Sequence, residues 1–522
     1  MTEPIPTDPE KQIAAVSTDD EVSSLGKGDI LQQEHVDPVL TAKIHLVNNA
    51  IDEIGFTGYH WKLFILNGFG YAVDSLILLI QSIIAGQAAL EFHPSYKNGL
   101  TIAAYVGMLT GAIFWGLSAD IVGRKFAFNV SLVVCSIFAI AAGASPTWEV
   151  LGLFVALSSF GGGGNLVLDT TVFLEYLPGS RQWMLTLMAA WWGIGQLVAG
   201  FLAWAFIPNF SCSDPSLIPS AAPCTYTNNK GWRYVWYTSG TLVFVMSIAR
   251  ITIIRLQETP KFLVSEGRDA ECVATLQAIA TKHNRPCTLT LATMTAAGTL
   301  SRPPRPLGWK AKFSLAEISP HLNGLFSTRR IATSTALIWL SWLLIGLAYP
   351  LYNVFLPAYL ASRGAVFGQT DAHVTWRNYA LVNFSGIWGP VLAAGLGRWK
   401  ALGRKGTMVV GAGGTAVFFF AYTAVRSERE NVGLACAGNF WGNVYYGTLY
   451  AYTPEVLPSA HRGTGNGLAV SGNRVMGILS AVIATVADTS TPVPIYICAA
   501  LYVVMAGVAA VFPFEPYGKR SS

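Results

Sequence analysis

Charge is what this chain has least of. Of its 522 residues only 12% are Asp, Glu, Lys or Arg, about half the share of an ordinary soluble protein, while 52% are hydrophobic. A chain so composed cannot cover itself with a water-solvated surface, so lipid must solvate part of it. Other absences narrow the class. There is no G-x-x-x-x-G-K-[ST] loop, so ATP is not expected to drive the protein. The seven cysteines, at 135, 212, 224, 272, 287, 436 and 498, show no ligand spacing, and neither a metal nor a cofactor is expected. No nucleophile and base fall at an arguable spacing, which speaks against an enzyme. The net charge of +5 is small, and no nucleic-acid partner is implied. No short apolar run follows a basic start, so no cleaved signal peptide is expected.

What the chain does have is apolar runs. Twelve are long enough to cross a bilayer, which takes about 17 to 25 residues each: 62–86, 99–118, 126–144, 148–173, 183–207, 232–255, 332–358, 375–396, 407–425, 432–453, 465–487 and 493–513. Six lie on each side of a polar segment, 256–331. The expected fold is therefore an all-α membrane protein of twelve transmembrane helices, built as two six-helix bundles over 62–255 and 332–513. The tail 1–61 holds eleven acids against three lysines, and its first forty or so residues are expected to be disordered; residues 514–522 form a second tail. Cations concentrate in the loops after even-numbered spans, at Arg124, Lys125, Arg181, the 256–331 segment, Arg398, Lys400, Arg404, Lys405 and Arg462. The opposite loops hold chiefly Lys97, Lys230, Arg363 and Arg429. Positive loops stay inside, which predicts a multi-pass protein with cytoplasmic termini; the plasma membrane is the expected location, with an internal membrane the alternative.

The two halves echo each other. Gly116-Leu-Ser-Ala-Asp120-Ile-Val-Gly123-Arg124-Lys125 reappears in altered form as Gly403-Arg404-Lys405, and Glu175-Tyr-Leu-Pro178 as Glu455-Val-Leu-Pro458, both at an offset of 280 residues. Two independent motifs at one offset imply a duplicated chain.

Polar residues inside the spans fall at helical spacing and so form stripes. Span one carries Asn67, Tyr71, Asp74 and Gln81; span four Ser158, Asn165 and Asp169; span seven Trp342, Tyr349 and Asn353; span ten Asn439, Asn443, Tyr446 and Tyr450. Four stripes on spans one, four, seven and ten suit repeats that enclose a site at the membrane midplane. The competing reading is that these side chains merely join neighbouring helices. Asp74 lies twelve residues into its span, about 18 Å deep, and Arg474 on span eleven is similarly deep. An intramembrane charge costs about 2.5 to 3.5 kcal/mol even on a lenient scale, so each needs a cavity or a partner. Asn67, Tyr71, Gln81, Asn165, Tyr349, Asn353, Asn439, Asn443, Tyr446 and Arg474 are the candidate substrate-binding residues, and Asp74 and Asp169 the candidate proton-coupling acids. Fixed structural ion pairs are the alternative of equal weight. Arg250 and Arg255, near the inner end of span six, are expected to snorkel.

The loop after span five is predicted to be external. Cys212 and Cys224 are the cysteines placed outside, and a disulfide between them is expected; Asn209-Phe-Ser211 is a glycosylation sequon in the same loop.

The stretch Gly116 to Lys125 resembles the G-x-x-x-D-x-x-G-R-[RK] signature between spans two and three of the major facilitator superfamily. Ala50-Ile-Asp-Glu-Ile-Gly-Phe-Thr-Gly58, Asp74 and Gly162-Gly-Gly-Asn-Leu-Val-Leu-Asp169 resemble the branch around synaptic-vesicle-2-related transporters, fungal members included. Glu258-Thr-Pro-Lys-Phe-Leu resembles the E-[ST]-P-R-[FW]-L element of that branch and of the sugar porters. The resemblance implies a carrier whose two bundles rock, with Gly116, Asp120, Gly123, Arg124, Lys125 and Glu175 latching the cytoplasmic side. Arg181, Arg404, Glu455 and Arg462 are the further loop candidates. The second half departs from the pattern, since Lys400 stands where Asp120 would repeat, so a second latch has to use Glu455 with Arg404. Span five lacks the G-x-x-x-G-P element of drug/proton antiporters, which weighs against a multidrug pump. The first reading is thus a monomeric carrier for a small polar organic solute, coupled to protons; Arg474 with the Tyr and Trp groups of the stripes suits an aromatic or short-chain carboxylate, and the two acids suit a cation equally. Two alternatives stand beside it: an exporter of a fungal secondary metabolite, and a nutrient sensor that keeps the fold without transport.

Overall fold

Each of the twelve apolar runs becomes a helix, because a lipid-exposed backbone has no water to bond and must satisfy its own N–H and C=O groups. The computed structural model describes residues 38–519 except 97, 213–221, 255, 301–314, 363–371 and 487–492. In chain order the spans are Gly58–Phe92, Gly99–Ile121, Arg124–Gly143, Trp148–Tyr176, Met184–Phe210 and Gly231–Ala249, then Arg329–Ser362, Ala372–Leu396, Gly403–Tyr422, Glu428–Val456, Arg462–Val486 and Val493–Ala510. Eight of them are long and apolar enough to cross a membrane by length and composition alone. Spans six, nine, ten and eleven fall short for a local reason: they carry Arg233, the Arg404-Lys405 pair, Asn439 with Asn443, and Asn473 with Arg474.

The first six spans pack as one bundle and the last six as another, and the bundles meet where span two lies along span eleven and span five along span eight. Span four is interrupted at Gly164, between helices Trp148–Gly163 and Asn165–Tyr176. There the indole N–H of Trp115 donates to the Phe160 carbonyl at 3.0 Å, and its ring fills the space where a Gly164 side chain would stand.

A small helical layer covers the side of the molecule where the described residues begin and end, at Pro38 and Lys519. The helix Pro38–Ile54 packs Ile44, Val47 and Ile51 against Leu263, Val264, Leu276 and Met294 of the connector helices Pro260–Ser265, Asp269–Lys282 and Leu291–Ala296. Lys43 pairs with Asp269 at 2.5 Å, and the Asp52 carboxylate accepts from the Gly179 amide at 2.7 Å. Acid-rich composition hides this helix from a reading by composition, although its apolar residues recur at three- and four-residue spacing. The part of the tail expected to be disordered lies, through residue 37, outside the described residues. At the opposite end Cys212 and Cys224 are joined by a disulfide, and the Asn209 amide donates to Ala205 in the last turn of span five.

Candidate functional site

Where spans one and eleven cross the middle of the molecule, Arg474 Nη2 lies 2.9 Å from Asp74 Oδ1 and 3.2 Å from Oδ2. Trp192 of span five donates its indole N–H to the same carboxylate at 3.2 Å, and Arg474 Nη1 donates to Asn473 at 3.4 Å. Arg474 Nε has no hydrogen-bond partner among the described residues. The pair is buried and joins one bundle to the other.

From this pair a cavity of about 700 Å³ runs toward the end of the molecule away from the chain termini. Trp192, Tyr446, Asn473 and Arg474 line its depth, Tyr349, Gln81, Gln196 and Asn439 its middle, and Asn378, Glu428 and Asn431 its outer part. Glu428 stands eighteen residues before Tyr446 on span ten, about 27 Å along the helix, so the cavity reaches the bundle end. Aromatic rings close the other direction. Trp192 touches Tyr446 at 5.6 Å and Tyr349 at 6.2 Å between centroids, Tyr446 stacks on Tyr450 at 4.6 Å, and Tyr71 meets Tyr450 at 5.8 Å across the bundle interface.

Beyond these rings the terminal side is shut by hydrogen bonds between the halves. Asp120, at the end of span two, accepts from the backbone N–H groups of Gly463 (3.3 Å) and Thr464 (2.7 Å) and from the Thr464 hydroxyl (2.9 Å). A carboxylate at a helix N-terminus meets unsatisfied donors and a favourable dipole together. Arg124 donates to the Ser459 carbonyl at 3.2 Å, and Glu175 stands between Arg124 at 3.0 Å and Arg462 at 3.5 Å. In the second half Arg404 pairs with Glu455 at 2.6 Å and reaches across to the Gln182 carbonyl at 3.2 Å and to the Thr186 hydroxyl. Gly116 lets the backbones of spans two and eleven touch, since a β-carbon there would come within 3.0 Å of the Gly463 carbonyl.

A model of the family described as Major Facilitator Superfamily matches residues 63–481. The chain belongs to the major facilitator superfamily. Among its relatives, the "MFS siderochrome iron transporter 1" of Ceriporiopsis subvermispora (strain B) is 41% identical over 94% of each chain. The "Synaptic vesicle 2-related protein" of Xenopus laevis is 26% identical over 98% of this chain and 88% of its own. A solved structure of the proton:xylose symporter XylE, bound to 6-bromo-6-deoxy-D-glucose, overlays with a TM-score of 0.64 at 16% identity, covering 89% of this chain and 98% of that one. This superfamily member is accordingly a membrane transporter and not an enzyme.

The structure distributes the sequence candidates unevenly around its cavity. Gln81, Tyr349, Asn439, Tyr446 and Arg474 line it. Asn443 is one step behind, donating to the Asn439 carbonyl at 2.8 Å and to its side chain at 3.0 Å, and Tyr71 is beneath the floor. The Asn353 side chain lies outside the described residues. Asn67, Asn165 and Asp169 must be corrected: they sit inside the first bundle rather than on the cavity. Asn67 donates to the Asp169 carbonyl at 3.4 Å, and Asn165 accepts from Ser131 at 2.6 Å. Arg250 is a second correction. It does not snorkel but is fully buried, 2.9 Å from Asp169, and donates also to Leu66 and Phe128 carbonyls at 3.1 Å. Asp169 supplies the counter-charge, and Gly70, without a side chain, makes the room. Arg255 lies outside the described residues. In the latch, Gly123 holds a φ of +125° that favours glycine. Lys125 is exposed and takes part through its backbone N–H, toward Glu258. Arg181 stands apart, over the ring of Phe56 at 5.7 Å.

The sequence reading missed Trp192 and Glu515, and also Gln196, Asn378 and Asn473 on the cavity lining. Glu515 accepts from the Arg404 and Lys405 amides at 2.9 and 3.1 Å, as Glu258 does from the Arg124 amide at 2.9 Å. The signal was present, since an acid followed closely by proline comes after the last span of each half, in Glu258-Thr-Pro260 and Glu515-Pro516.

Proposed function

We propose that this transporter carries a small polar organic solute of the carboxylate class by alternating access, and that protons couple through Asp74. Arg474 carries the reading. It is the cation on the cavity lining, its Nε has no partner among the described residues, and the acid that holds it stands behind it. An incoming carboxylate meets a planar fork of N–H donors, to which charge-assisted bonds are the strong kind. Trp192, Tyr349 and Tyr446 offer flat apolar faces to the rest of the solute. Drawing Arg474 toward the solute leaves Asp74 with the Trp192 indole alone, and a proton then neutralises what Arg474 no longer does. That exchange supplies the coupling.

With the termini cytoplasmic, as the basic loops imply, the cavity faces outward and the latch closes the inner side of a plasma-membrane monomer. A second reading is favoured by the 41% identity to a siderochrome iron transporter, namely a larger iron chelate in the same cavity. Thermal shift of the purified protein with aromatic and short-chain carboxylates, a ferric hydroxamate, amines and sugars separates the classes. The expected hits are carboxylates, lost in Arg474→Gln. Flux into proteoliposomes should require a proton gradient in the wild type and lose that dependence in Asp74→Asn. Stabilisation by sugars or amines that survives Arg474→Gln defeats the carboxylate reading, and saturable binding with no flux defeats the carrier.

A further inference from the structure

Two histidines meet on the terminal side, away from the cavity. His461 ends the single turn Ser459–His461, whose Ser459 carbonyl accepts from Arg124 and whose next residue, Arg462, holds Glu175. His321 belongs to the connector helix Leu315–Gly324, which leads into span seven. The two Nδ1 atoms are 3.1 Å apart, with the rings edge to face at 5.2 Å between centroids. His321 Nδ1 is also 3.2 Å from the Ala460 carbonyl. A carbonyl can only accept, so the network assigns the N–H to His321 and leaves His461 Nδ1 bare as the second acceptor. Gly324 rests on the His461 ring so closely that a β-carbon would lie 2.1 Å from Nε2.

We infer that His321 and His461 form an acid-released clasp, which fastens the connector helix to the closed latch and lets go when a second proton arrives. With both Nδ1 atoms protonated, N–H points at N–H and His461 carries a buried positive charge against it. The surroundings give that charge little support. Asp120 is the acid His461 feels, and span eleven already occupies it. Glu175 and Glu455 are held by arginines, and Arg124, Arg462 and Lys261 of Pro260–Ser265 add positive charge around the same turn.

Burial, with His321 as the next cause, lowers His461 to about 4. The closed form therefore refuses a proton that the opened form, with His461 in water near its ordinary value of about 6.5, accepts. Below that value each pH unit multiplies the opened-to-closed ratio by about ten, until the pH nears 4. Acid on the terminal side thus favours release.

Hydrogen–deuterium exchange of the full chain in lipid nanodiscs tests this, at about pH 7.5 and about pH 5.5 and normalised to intrinsic exchange. The wild type should show about tenfold more opening at the lower pH over 315–324 and 459–464, with none in the span interiors. His461→Gln should flatten that ratio, whether its turn is held or loose at both pH values, because the group that takes the second proton is gone, whereas His321→Gln should reduce the rise and keep the part due to burial of His461. A wild type without the rise, or a His461→Gln variant that keeps it in full, overturns the clasp. Exchange is read with no solute present, so a failure of the carboxylate reading leaves this result standing.

Discussion

The latch predicts that one added side chain can force the terminal side open. In Gly467→Val the β-carbon would lie 2.9 Å from the Ala112 carbonyl and 3.2 Å from Gly116 Cα. Both neighbours are backbone, so neither can rotate away, and valine adds two further carbons. Overpacking of this kind costs about 1 to 3 kcal/mol. The cost falls only on the conformation in which spans two and eleven touch at this level. The opened-to-closed ratio should therefore rise by about fivefold to about 150-fold. A cysteine at Ser459, a buried position in the closed turn, reports the change through its alkylation rate, read peptide by peptide by mass spectrometry. The rate should rise with Gly467→Val by the same factor, while thermal unfolding remains a single transition. An unchanged rate in a well-folded variant would show that this crossing does not shut the pathway, and the alternating-access reading would lose its gate.

Three further predictions rest on other contacts. Arg250→Met alone strands the Asp169 carboxylate in the first bundle and should cost about 3 to 5 kcal/mol of stability, whereas Arg250→Met with Asp169→Leu should recover most of it; thermal midpoints of the two variants decide. Burial pushes the Cys272 thiol up to about 12, so at neutral pH its thiolate fraction is very small and alkylation should mark half-exposed Cys287 well before it; equal rates would refute the buried placement of Cys272. The Cys212–Cys224 bridge spans 12 residues, and losing it should cost about 3 kcal/mol of loop-closure entropy, seen as a lower thermal midpoint in Cys224→Ser that reductant does not lower further.

The sequence was most legible where one periodicity or one offset was enough. Twelve apolar runs gave twelve helices, and the 280-residue offset set Arg124 with Glu175 beside Arg404 with Glu455. Depth counting singled out Asp74 and Arg474, because a charge at the midplane must find a partner. It could not say that the partner was the other charge, 400 residues away. Stripes were less reliable, since a period of 3.6 identifies a helix face but not the neighbour that face meets. The stripe of span four turns into its own bundle, where Arg250 waits, so Asn165 and Asp169 miss the cavity. Arg250 was misjudged for the same reason: distance from a helix end says nothing of an acid on another helix.

The two halves of the closed contact lie at one 280-residue offset but use it differently. Asp120 brings negative charge to the N-terminus of span eleven, where backbone donors are unsatisfied. Its positional counterpart is Lys400, which has no such use, because an ammonium at a helix N-terminus is repelled by the same dipole. The second half instead sends Arg404 to the Gln182 carbonyl and the Thr186 hydroxyl at the entry to span five, so a cation meets acceptors there. Each crossing thus pairs opposite polarities, but with the signs exchanged. Substituting Asp120 removes an acceptor from four converging donors, Arg124 included, whereas substituting Arg404 also strands Glu455. The first change should chiefly loosen the closed state, and the second should destabilise the fold as well.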